Sequence, residues 1–425
     1  MISDPASLQK SLRIYQGLVE VSGLINSIND FDELLRQILA VARRVLHAEA
    51  ASLFLTNESS GGLDLAMSSR ADDEFVQPRI YVPRGQGISG WVLEHEESLL
   101  IPDAYADPRF FRDADKKSGF VTRSMICAPL KQDGNVIGVI QVLNSTDGFP
   151  FDQIDLEAFE AYSSLTATAI DKLRFIERMR EQERVQRDVQ IASEIQQELL
   201  SQAIPATLDG YAFGSHYKAA QNVGGDFFLV FPRSDDGVFF AIGDVSGKGI
   251  SASLLMAQTL SAMQFVFATT EKPAEAMALL NAHSERQVVR GMFVTMLIGL
   301  MDRKNSRLTL SSAGHCRPWV ITQSGACEEI PTVGALPLGI LPDVDYQQIE
   351  VPFGSGDVWV SFTDGLTESR SPHTGEFFED RIGSVLAGTN PDPADVVARL
   401  IAAEAVFRDG EDPRDDLTLL AGGFR

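Results

Sequence analysis

The chain has 425 residues, of which 44% are hydrophobic, and it carries 36 lysines and arginines against 59 aspartates and glutamates. This length exceeds what one ordinary domain needs, so we expect two folded domains and a connector. The formal net charge of −23 argues against a nucleic-acid backbone or an anionic membrane as the main partner.

Three cysteines, Cys127, Cys316 and Cys327, lack the spacing of a cysteine metal site and cannot all pair with one another. This pattern suits a reducing compartment. The N-terminus lacks a basic region followed by an apolar run, and we expect no uncharged apolar segment that approaches the roughly 20 residues needed to span a bilayer. The sequence therefore predicts a cytoplasmic protein.

The first part of the chain combines helical periodicity with short strands. Apolar residues recur at helical spacing in residues 6–28, and Asn29-Asp30 can cap a second helix over residues 31–46. Short strands then alternate with turns, and hairpins are predicted at Gly61-Gly62 and at Asp133-Gly134.

These elements, taken with the glycine-rich loop at residues 84–92 and the proline-bounded loop at residues 101–110, resemble a GAF domain in their order. The resemblance covers residues 20–172, with an N-terminal helix predicted in residues 1–19. It implies a small-molecule sensor built on a central antiparallel sheet.

Some GAF domains bind cyclic nucleotides, and the motif associated with them points to Asn144, Phe151 and Asp155 as candidate ligand-binding residues. The motif has lysine and glutamate where this chain has Ser145 and Leu156. A GAF fold that serves only as a dimerisation platform is an equally strong interpretation.

Residues 151–204 contain neither glycine nor proline and are rich in Glu, Gln, Arg, Leu and Ala. If helical for most of its length, this stretch would reach about 75 Å at 1.5 Å per residue. Its apolar residues step mainly by three and four, which predicts a coiled-coil linker in residues 173–204 and a homodimer. The apolar stripe thins in residues 177–184, a segment that either shifts register or forms a solvated face.

Aspartates recur in the second half of the chain, each at the mouth of an apolar strand: Asp226, Asp244, Asp364 and the pair Asp415-Asp416. Asp244 enters a glycine-studded turn, where backbone carbonyls and amides as well as the carboxylate can face a ligand. Oxygen donors of this kind select hard cations, so the pattern predicts a site for Mn²⁺ or Mg²⁺.

The motifs around these aspartates closely resemble the SpoIIE/RsbU-type branch of the metal-dependent (PPM superfamily) protein serine/threonine phosphatases over residues 190–425. The resemblance implies that residues 205–425 form a β-sandwich flanked by helices, with the metals at one edge, so the whole chain is predicted to be an α+β multidomain protein. The matching strings include Gly224-Gly225-Asp226, Gly243-Asp244-Val245-Ser246-Gly247-Lys248-Gly249, Ser312-Ala313-Gly314-His315, Thr363-Asp364-Gly365 and Asp415-Asp416-Leu417-Thr418.

Catalytic and metal-binding roles follow from this resemblance. Asp244 would bridge two Mn²⁺ or Mg²⁺ ions, the Val245 carbonyl would complete the coordination of one of them, and Asp364 and Asp415 would bind the second. Two such ions can clamp phosphate oxygens and acidify a bound water, which is what hydrolysis of a phosphomonoester requires.

Four further residues near these motifs have different roles. Asp226 would act on the metals directly or through water, and Asp416 would orient the ligands, although the choice between Asp415 and Asp416 as ligand stays open. His315 is interpreted as a packing residue rather than an acid, and Lys248 either attracts phosphate or is solvated.

The sequence thus predicts a Mn/Mg-dependent phosphoprotein phosphatase in bacterial signalling, controlled by a GAF sensor. By resemblance, its substrate would be a phosphorylated anti-sigma-factor antagonist with a STAS domain. One alternative is a catalytically inactive scaffold that binds a signalling partner, and a second makes nucleotide binding by the GAF domain the main activity.

Overall fold

The computed structural model describes residues 15–17, 19–20, 23, 28, 30–57, 59–70, 75–76, 80–112, 115, 119–233, 237–285, 291–388 and 392–425. The chain divides into two compact units, Met1–Glu183 and Arg184–Arg425. Most of the helix predicted in residues 6–28 lies outside the described residues.

The first unit is built on one antiparallel sheet with the strand order β3-β2-β1-β7-β6-β5, in which β4 also pairs with β2. Helix α1 begins after Asp30, whose carboxylate accepts a hydrogen bond from the backbone amide of Glu33 at 2.8 Å, as the sequence predicted. The elements are α1 (Phe31–Val45), β1 (Ala48–Thr56), β2 (Leu63–Ser69), β3 (Phe75–Val76), β4 (Tyr81–Val82), α2 (Gly87–His95), β5 (Leu99–Ile101), β6 (Met125–Gln132) and β7 (Asn135–Ser145).

One long helix, α3 (Gln153–Ser201), follows with 49 residues and confirms the predicted long helix. Its first turns belong to the core of the first unit, where the Tyr162 hydroxyl donates a hydrogen bond to the Ile38 carbonyl at 2.5 Å. Further along, apolar side chains such as Phe175 and Val185 are 61% and 52% exposed. The coiled coil and the homodimer remain predictions.

The second unit contains two five-stranded sheets, β15-β12-β11-β10-β9 and β14-β13-β16-β17-β8. They pack through aromatic rings: Phe240 of one sheet stacks on Trp359 of the other with 3.6 Å between centroids. This arrangement confirms the predicted sandwich with flanking helices. The elements are β8 (Tyr211–Lys218), β9 (Phe227–Pro232), β10 (Gly237–Val245), α4 (Ile250–Thr269), α5 (Pro273–Glu285), β11 (Val294–Asp302), β12 (Arg307–Ala313), β13 (Trp319–Ile321), β14 (Cys327–Glu329), β15 (Ile349–Pro352), β16 (Val358–Phe362), α6 (Asp364–Thr367), α7 (Glu379–Leu386), α8 (Pro393–Phe407) and β17 (Leu417–Phe424).

Helix α4 corrects the expectation that no uncharged segment approaches the length of a membrane span. Within the described residues it is the one helix long and apolar enough for that role, with 20 residues and a mean hydropathy of 1.4. The side chains of Met256, Met263 and Phe267 are 0 to 1% exposed and belong to the core of the second unit. Packing against the sandwich accounts for the apolar residues on this face of α4. Other apolar side chains of the helix, Leu254 and Phe265, are 66% and 73% exposed.

Candidate metal centre

Asp244 is the last residue but one of strand β10, which pairs with β9 on one side and β11 on the other. The chain then turns sharply, with φ of 98° at Gly247 and 77° at Gly249, before helix α4 begins. Only glycine adopts these φ values without strain, which explains the glycines of the turn. The strand, turn and helix that the sequence predicts around Asp244 are all present.

The Gly224-Gly225 segment lies directly against Asp244. A Cβ added at Gly225 would come within 2.7 Å of the Val245 carbonyl oxygen and 3.1 Å of Asp244 Oδ1. A Cβ added at Gly224 would come within 2.2 Å of Asp416 Oδ2. The two glycines therefore allow an approach that no other residue permits, and they bring backbone and carboxylate oxygens together.

The adjacent residues Asp415 and Asp416 make different contacts. Asp416 accepts backbone hydrogen bonds at both carboxylate oxygens, from Ala220 at 2.8 Å and from Gly225 at 2.7 Å. Asp415 instead forms an ion pair of 2.9 Å with Lys248, which also donates to the Arg414 carbonyl at 2.9 Å. Asp416 thus fixes the glycine segment, while Asp415 contacts a half-exposed lysine.

Asp226 is 1% exposed and accepts a hydrogen bond of 2.7 Å from the Thr363 hydroxyl. Burial and the charge of Asp244 raise the pKa of Asp226 well above the usual carboxylate range. Burial and the charge of Asp364 likewise raise the pKa of Asp244 to about 7.

Asp364 is the first residue of the short helix α6, which follows strand β16 directly. Burial and the charge of Asp415 raise its pKa. Burial also raises the pKa of Asp416, against the backbone hydrogen bonds that it accepts. The structure therefore brings the predicted aspartates near enough to repel one another through a partly desolvated space.

The donors fit a hard divalent cation, because a positive charge relieves the repulsion between buried carboxylates and because oxygen atoms surround the Asp244 turn. As the side chains stand in the described residues, no group of three or more His, Cys, Asp or Glu is assembled to hold a metal ion. Burial raises the pKa of the Cys316 thiol to about 12.

Two basic residues near the aspartates also have defined places. His315 is 8% exposed, its Nδ1 lies 3.1 Å from the Thr295 hydroxyl, and burial lowers its pKa to about 4. It is therefore neutral near pH 7, which agrees with a packing role. Lys248 contacts Asp415 rather than extending into solvent alone.

The comparisons with known proteins agree with this geometry. The family model described as Stage II sporulation protein E (SpoIIE) matches residues 234–425, and the GAF domain model matches residues 30–170. The chain carries a GAF domain followed by a SpoIIE-type domain.

Curated relatives match only part of their own length. Phosphoserine phosphatase RsbU from Bacillus subtilis (strain 168) is 31% identical over 190 residues, which cover 45% of this chain and 56% of RsbU. Probable 3',5'-cyclic phosphodiesterase pde-5 from Caenorhabditis elegans is 28% identical over 186 residues, which cover 42% of this chain and 25% of that protein. The chain thus spans about half of RsbU and a quarter of pde-5.

Among solved structures, the SiaA-PP2C domain of Pseudomonas aeruginosa superposes with a TM-score of 0.52 and 22% sequence identity. The alignment covers 58% of this chain and 99% of that domain. At this level of identity the match shows a shared fold and agrees with the sandwich of the SpoIIE-type domain.

In the GAF domain, the candidate ligand-binding residues hold the backbone together. Asn144 is 1% exposed, accepts a hydrogen bond from the Arg123 amide at 2.6 Å and donates one to the Val121 carbonyl at 2.8 Å. Phe151 is 3% exposed and lies in the core, and Asp155 accepts a hydrogen bond from the backbone amide of residue 152 at 3.0 Å.

A cavity of about 610 Å³ lies elsewhere in the GAF domain, and Asn144, Phe151 and Asp155 are not among the described residues that line it. Its polar lining includes two hydrogen-bonded pairs, Ser52 with Ser68 and Ser89 with Gln141, each at 3.1 Å. This cavity has no local sequence signature, because its walls come from strands and loops that are distant in the chain.

Two partners of the aspartates were not predicted from the sequence: Thr363, which contacts Asp226, and Lys248, which contacts Asp415. Thr363 stands next to Asp364 in a matching string, so the signal for it was present. The pairing of Lys248 with Asp415 joins residues far apart in the chain and has no local signature.

Proposed function

We propose that the chain is a metal-dependent protein serine/threonine phosphatase in bacterial signalling. The observation that carries this proposal is the packing of Asp244 and Asp416 against Gly224-Gly225. Asp226 accepts a hydrogen bond from Thr363, the residue just before Asp364, and so lies at the same place. Similarity to RsbU, a phosphoserine phosphatase that is 31% identical over 190 residues, supports the same activity.

In this proposal two ions, Mn²⁺ or Mg²⁺, are held by Asp244 with the Val245 carbonyl, by Asp364 and by Asp415. The contacts support Asp415 over Asp416 as a ligand, since backbone amides hold both oxygens of Asp416, whereas in Asp415 a backbone amide holds only Oδ1. When bound, the ions would neutralise phosphate charge and supply a nucleophile near neutral pH.

The remaining residues act by orientation. Asp416 holds the glycine segment against Asp244, and Thr363 holds the buried carboxyl group of Asp226. Lys248 keeps Asp415 beside the Arg414 carbonyl until a cation competes for its carboxylate. Such fixed donors reduce the reorganisation that binding and reaction require.

The substrate in this proposal is a phosphorylated protein, specifically a STAS-type anti-sigma-factor antagonist, and the setting is the cytoplasm. The GAF domain would control the phosphatase through α3, with a small molecule as its signal. Exposed apolar side chains on α3, including Ile191 and Leu199 at 49% and 43%, support pairing with a second copy in a homodimer.

A second candidate is a scaffold that binds a phosphoprotein without turnover. The Lys248–Asp415 ion pair favours it, because this contact engages one of the proposed metal ligands. Turnover measurements separate the two candidates.

The deciding experiment measures hydrolysis of p-nitrophenyl phosphate by the full chain in Mn²⁺ and in EDTA. We expect Mn²⁺-dependent turnover in the wild type and its loss in Asp364→Asn. Asp209→Asn is the matched control, since it makes the same chemical change at an exposed turn. Turnover that persists in Asp364→Asn would reject the two-metal site, and a folded wild type without turnover would support the scaffold.

A further inference from the structure

A loop of the SpoIIE-type domain, residues 330–342 between strands β14 and β15, holds apolar side chains in solvent. None of its 13 residues is charged, although 22% of the whole chain is. Leu336, Ile340 and Leu341 are 43%, 45% and 51% exposed. Apolar side chains grouped on the surface of a folded protein mark interaction sites. Residues 330–342 are called the apolar loop below.

The exposure of these side chains does not come from a loose backbone. Asn281 of helix α5 is 1% exposed and holds the apolar loop through its side-chain amide. It donates to the carbonyls of Leu341 and Pro342 at 2.8 and 3.0 Å. Its oxygen accepts a hydrogen bond from the Gly339 amide at 2.9 Å. Because all three contacts involve backbone groups, they fix the loop independently of the side chains that it presents.

The apolar loop lies beside the candidate metal centre. Leu338 and Val294 exchange two backbone hydrogen bonds, of 2.8 and 3.1 Å, and Val294 is in turn the register partner of Val245. Since neighbouring strands lie about 4.8 Å apart, the backbone of Leu338 is about 10 Å from that of Val245. The Val245 carbonyl is one of the proposed metal ligands, so the loop flanks the place where a phosphate would bind.

A protein substrate is long enough to contact both places at once. An extended segment advances about 3.3 Å per residue, so a residue three to four positions from a phosphoserine lies about 10 to 13 Å away. That distance matches the span from Val245 to the apolar loop.

Charge favours the same occupant. A chain with a net charge of −23 repels a negatively charged phosphoprotein, and an uncharged loop is where this repulsion is weakest. Burial of apolar side chains against the loop would supply binding free energy that the acidic surface does not.

We propose that the apolar loop is a docking surface for the phosphoprotein substrate, and that it selects apolar side chains three or four residues from the phosphoserine. This inference rests on the proposed function, because it assumes that the phosphoserine binds at the aspartates. A small aryl phosphate has no such side chain and does not use the loop. The loop therefore acts on substrate selection and not on the chemical step.

The test compares two synthetic phosphoserine peptides as substrates of the full chain in Mn²⁺. One peptide carries leucine at the third and fourth positions on both sides of the phosphoserine, and the other carries serine there. We expect kcat/KM to be about tenfold higher for the leucine peptide, which is the effect of burying roughly one leucine side chain. Release of phosphate measures both rates.

The matched variants change exposed side chains only. Leu336 and Leu341 are held through their carbonyls, by the side chains of Tyr346 and Asn281, so serine can replace both leucines without loss of these contacts. We expect the double variant, Leu336→Ser with Leu341→Ser, to lower kcat/KM for the leucine peptide by about tenfold and to leave hydrolysis of p-nitrophenyl phosphate unchanged. Val406→Ser is the control, since it removes an 81% exposed apolar side chain from helix α8 and should change neither rate.

Three results would overturn the inference. Equal kcat/KM for the two peptides in the wild type, with turnover of p-nitrophenyl phosphate retained, would reject the docking surface and leave the proposed function intact. A parallel loss of p-nitrophenyl phosphate turnover in the double variant would mean that the loop supports the metal centre rather than the substrate. A change from dimer to monomer in that variant, measured by light scattering, would assign the loop to a second copy of the chain. If the wild type hydrolyses neither peptide nor p-nitrophenyl phosphate, the proposed function fails and this inference fails with it.

Discussion

The two units hold their polar groups in opposite ways. In the SpoIIE-type domain, buried aspartates face one another, and their mutual repulsion and burial raise the pKa values of Asp226, Asp244 and Asp364. Around the GAF cavity, neutral groups satisfy each other, as in the pair of Ser89 with Gln141. By our proposal a cation would complete the first arrangement, whereas the neutral pairs of the second need none. We therefore expect cation dependence in one unit only.

The largest effect should come from removing the carboxylate at the centre of the cluster. Asp244→Asn is expected to lower Mn²⁺-dependent phosphatase activity by about a hundredfold or more, since it removes the proposed bridging charge. Steady-state hydrolysis of p-nitrophenyl phosphate measures this change. Mn²⁺ should also raise the unfolding temperature of the wild type and fail to do so in the variant. If Mn²⁺ raised the unfolding temperature of both proteins equally, Asp244 would not be part of a cation site and the expected difference between the units would be wrong.

A close approach of backbone should matter almost as much. Gly225→Ala places a Cβ 2.7 Å from the Val245 carbonyl oxygen, so we expect a loss of stability of about 1 to 3 kcal/mol and weaker Mn²⁺ binding. Denaturant unfolding in EDTA and Mn²⁺ titration measure the two effects. Gly334→Ala is the control, because nothing lies within 4 Å of a Cβ there. Wild-type behaviour of Gly225→Ala would mean that the segment can move away from Asp244.

A smaller effect of opposite sign is expected at Lys248. Lys248→Met removes a positive charge 2.9 Å from Asp415 and should tighten Mn²⁺ binding by about threefold, a modest change because the pair is half-exposed. Calorimetric titration measures the affinity. Weaker binding in this variant would indicate that Lys248 orients Asp415 for the cation rather than competing with it.

The smallest effect should appear in the GAF domain. Ser89→Ala removes one hydrogen bond of a neutral pair and should cost about 0.5 to 1.5 kcal/mol in the unfolding of the first unit. Mn²⁺ affinity should stay at the wild-type value. A change in that affinity would show that the GAF cavity and the proposed metal centre are energetically coupled.

Local sequence patterns predicted the parts of the site that are themselves local. Strand β10, the glycine turn and helix α4 lie in one continuous stretch. A continuous apolar run, the glycines and the helical composition indicate these three elements in turn. Asp364 at the end of β16 was found in the same way. These elements depend on neighbours in sequence, so their pattern was sufficient.

Contacts between distant segments were not predictable from such patterns. Asp416 holds Ala220 across a separation of 196 residues, and Gln196 holds Gly224 across 28. Asn144 likewise joins the Arg123 amide and the Val121 carbonyl across 21 and 23 residues. A residue type fixes what a side chain can bind, whereas only the folded chain decides which partner is within reach.

The pairing of β8 with β17 has a consequence for synthesis. Strand β8 leaves the ribosome long before β17, the partner with which it pairs along its full length from Lys218 to Tyr211. Until β17 arrives, the nascent domain exposes the unpaired edge of β8, which invites wrong pairing with other chains. The same late segment delivers Asp415 and Asp416, so an incomplete chain can neither close its second sheet nor assemble its aspartates.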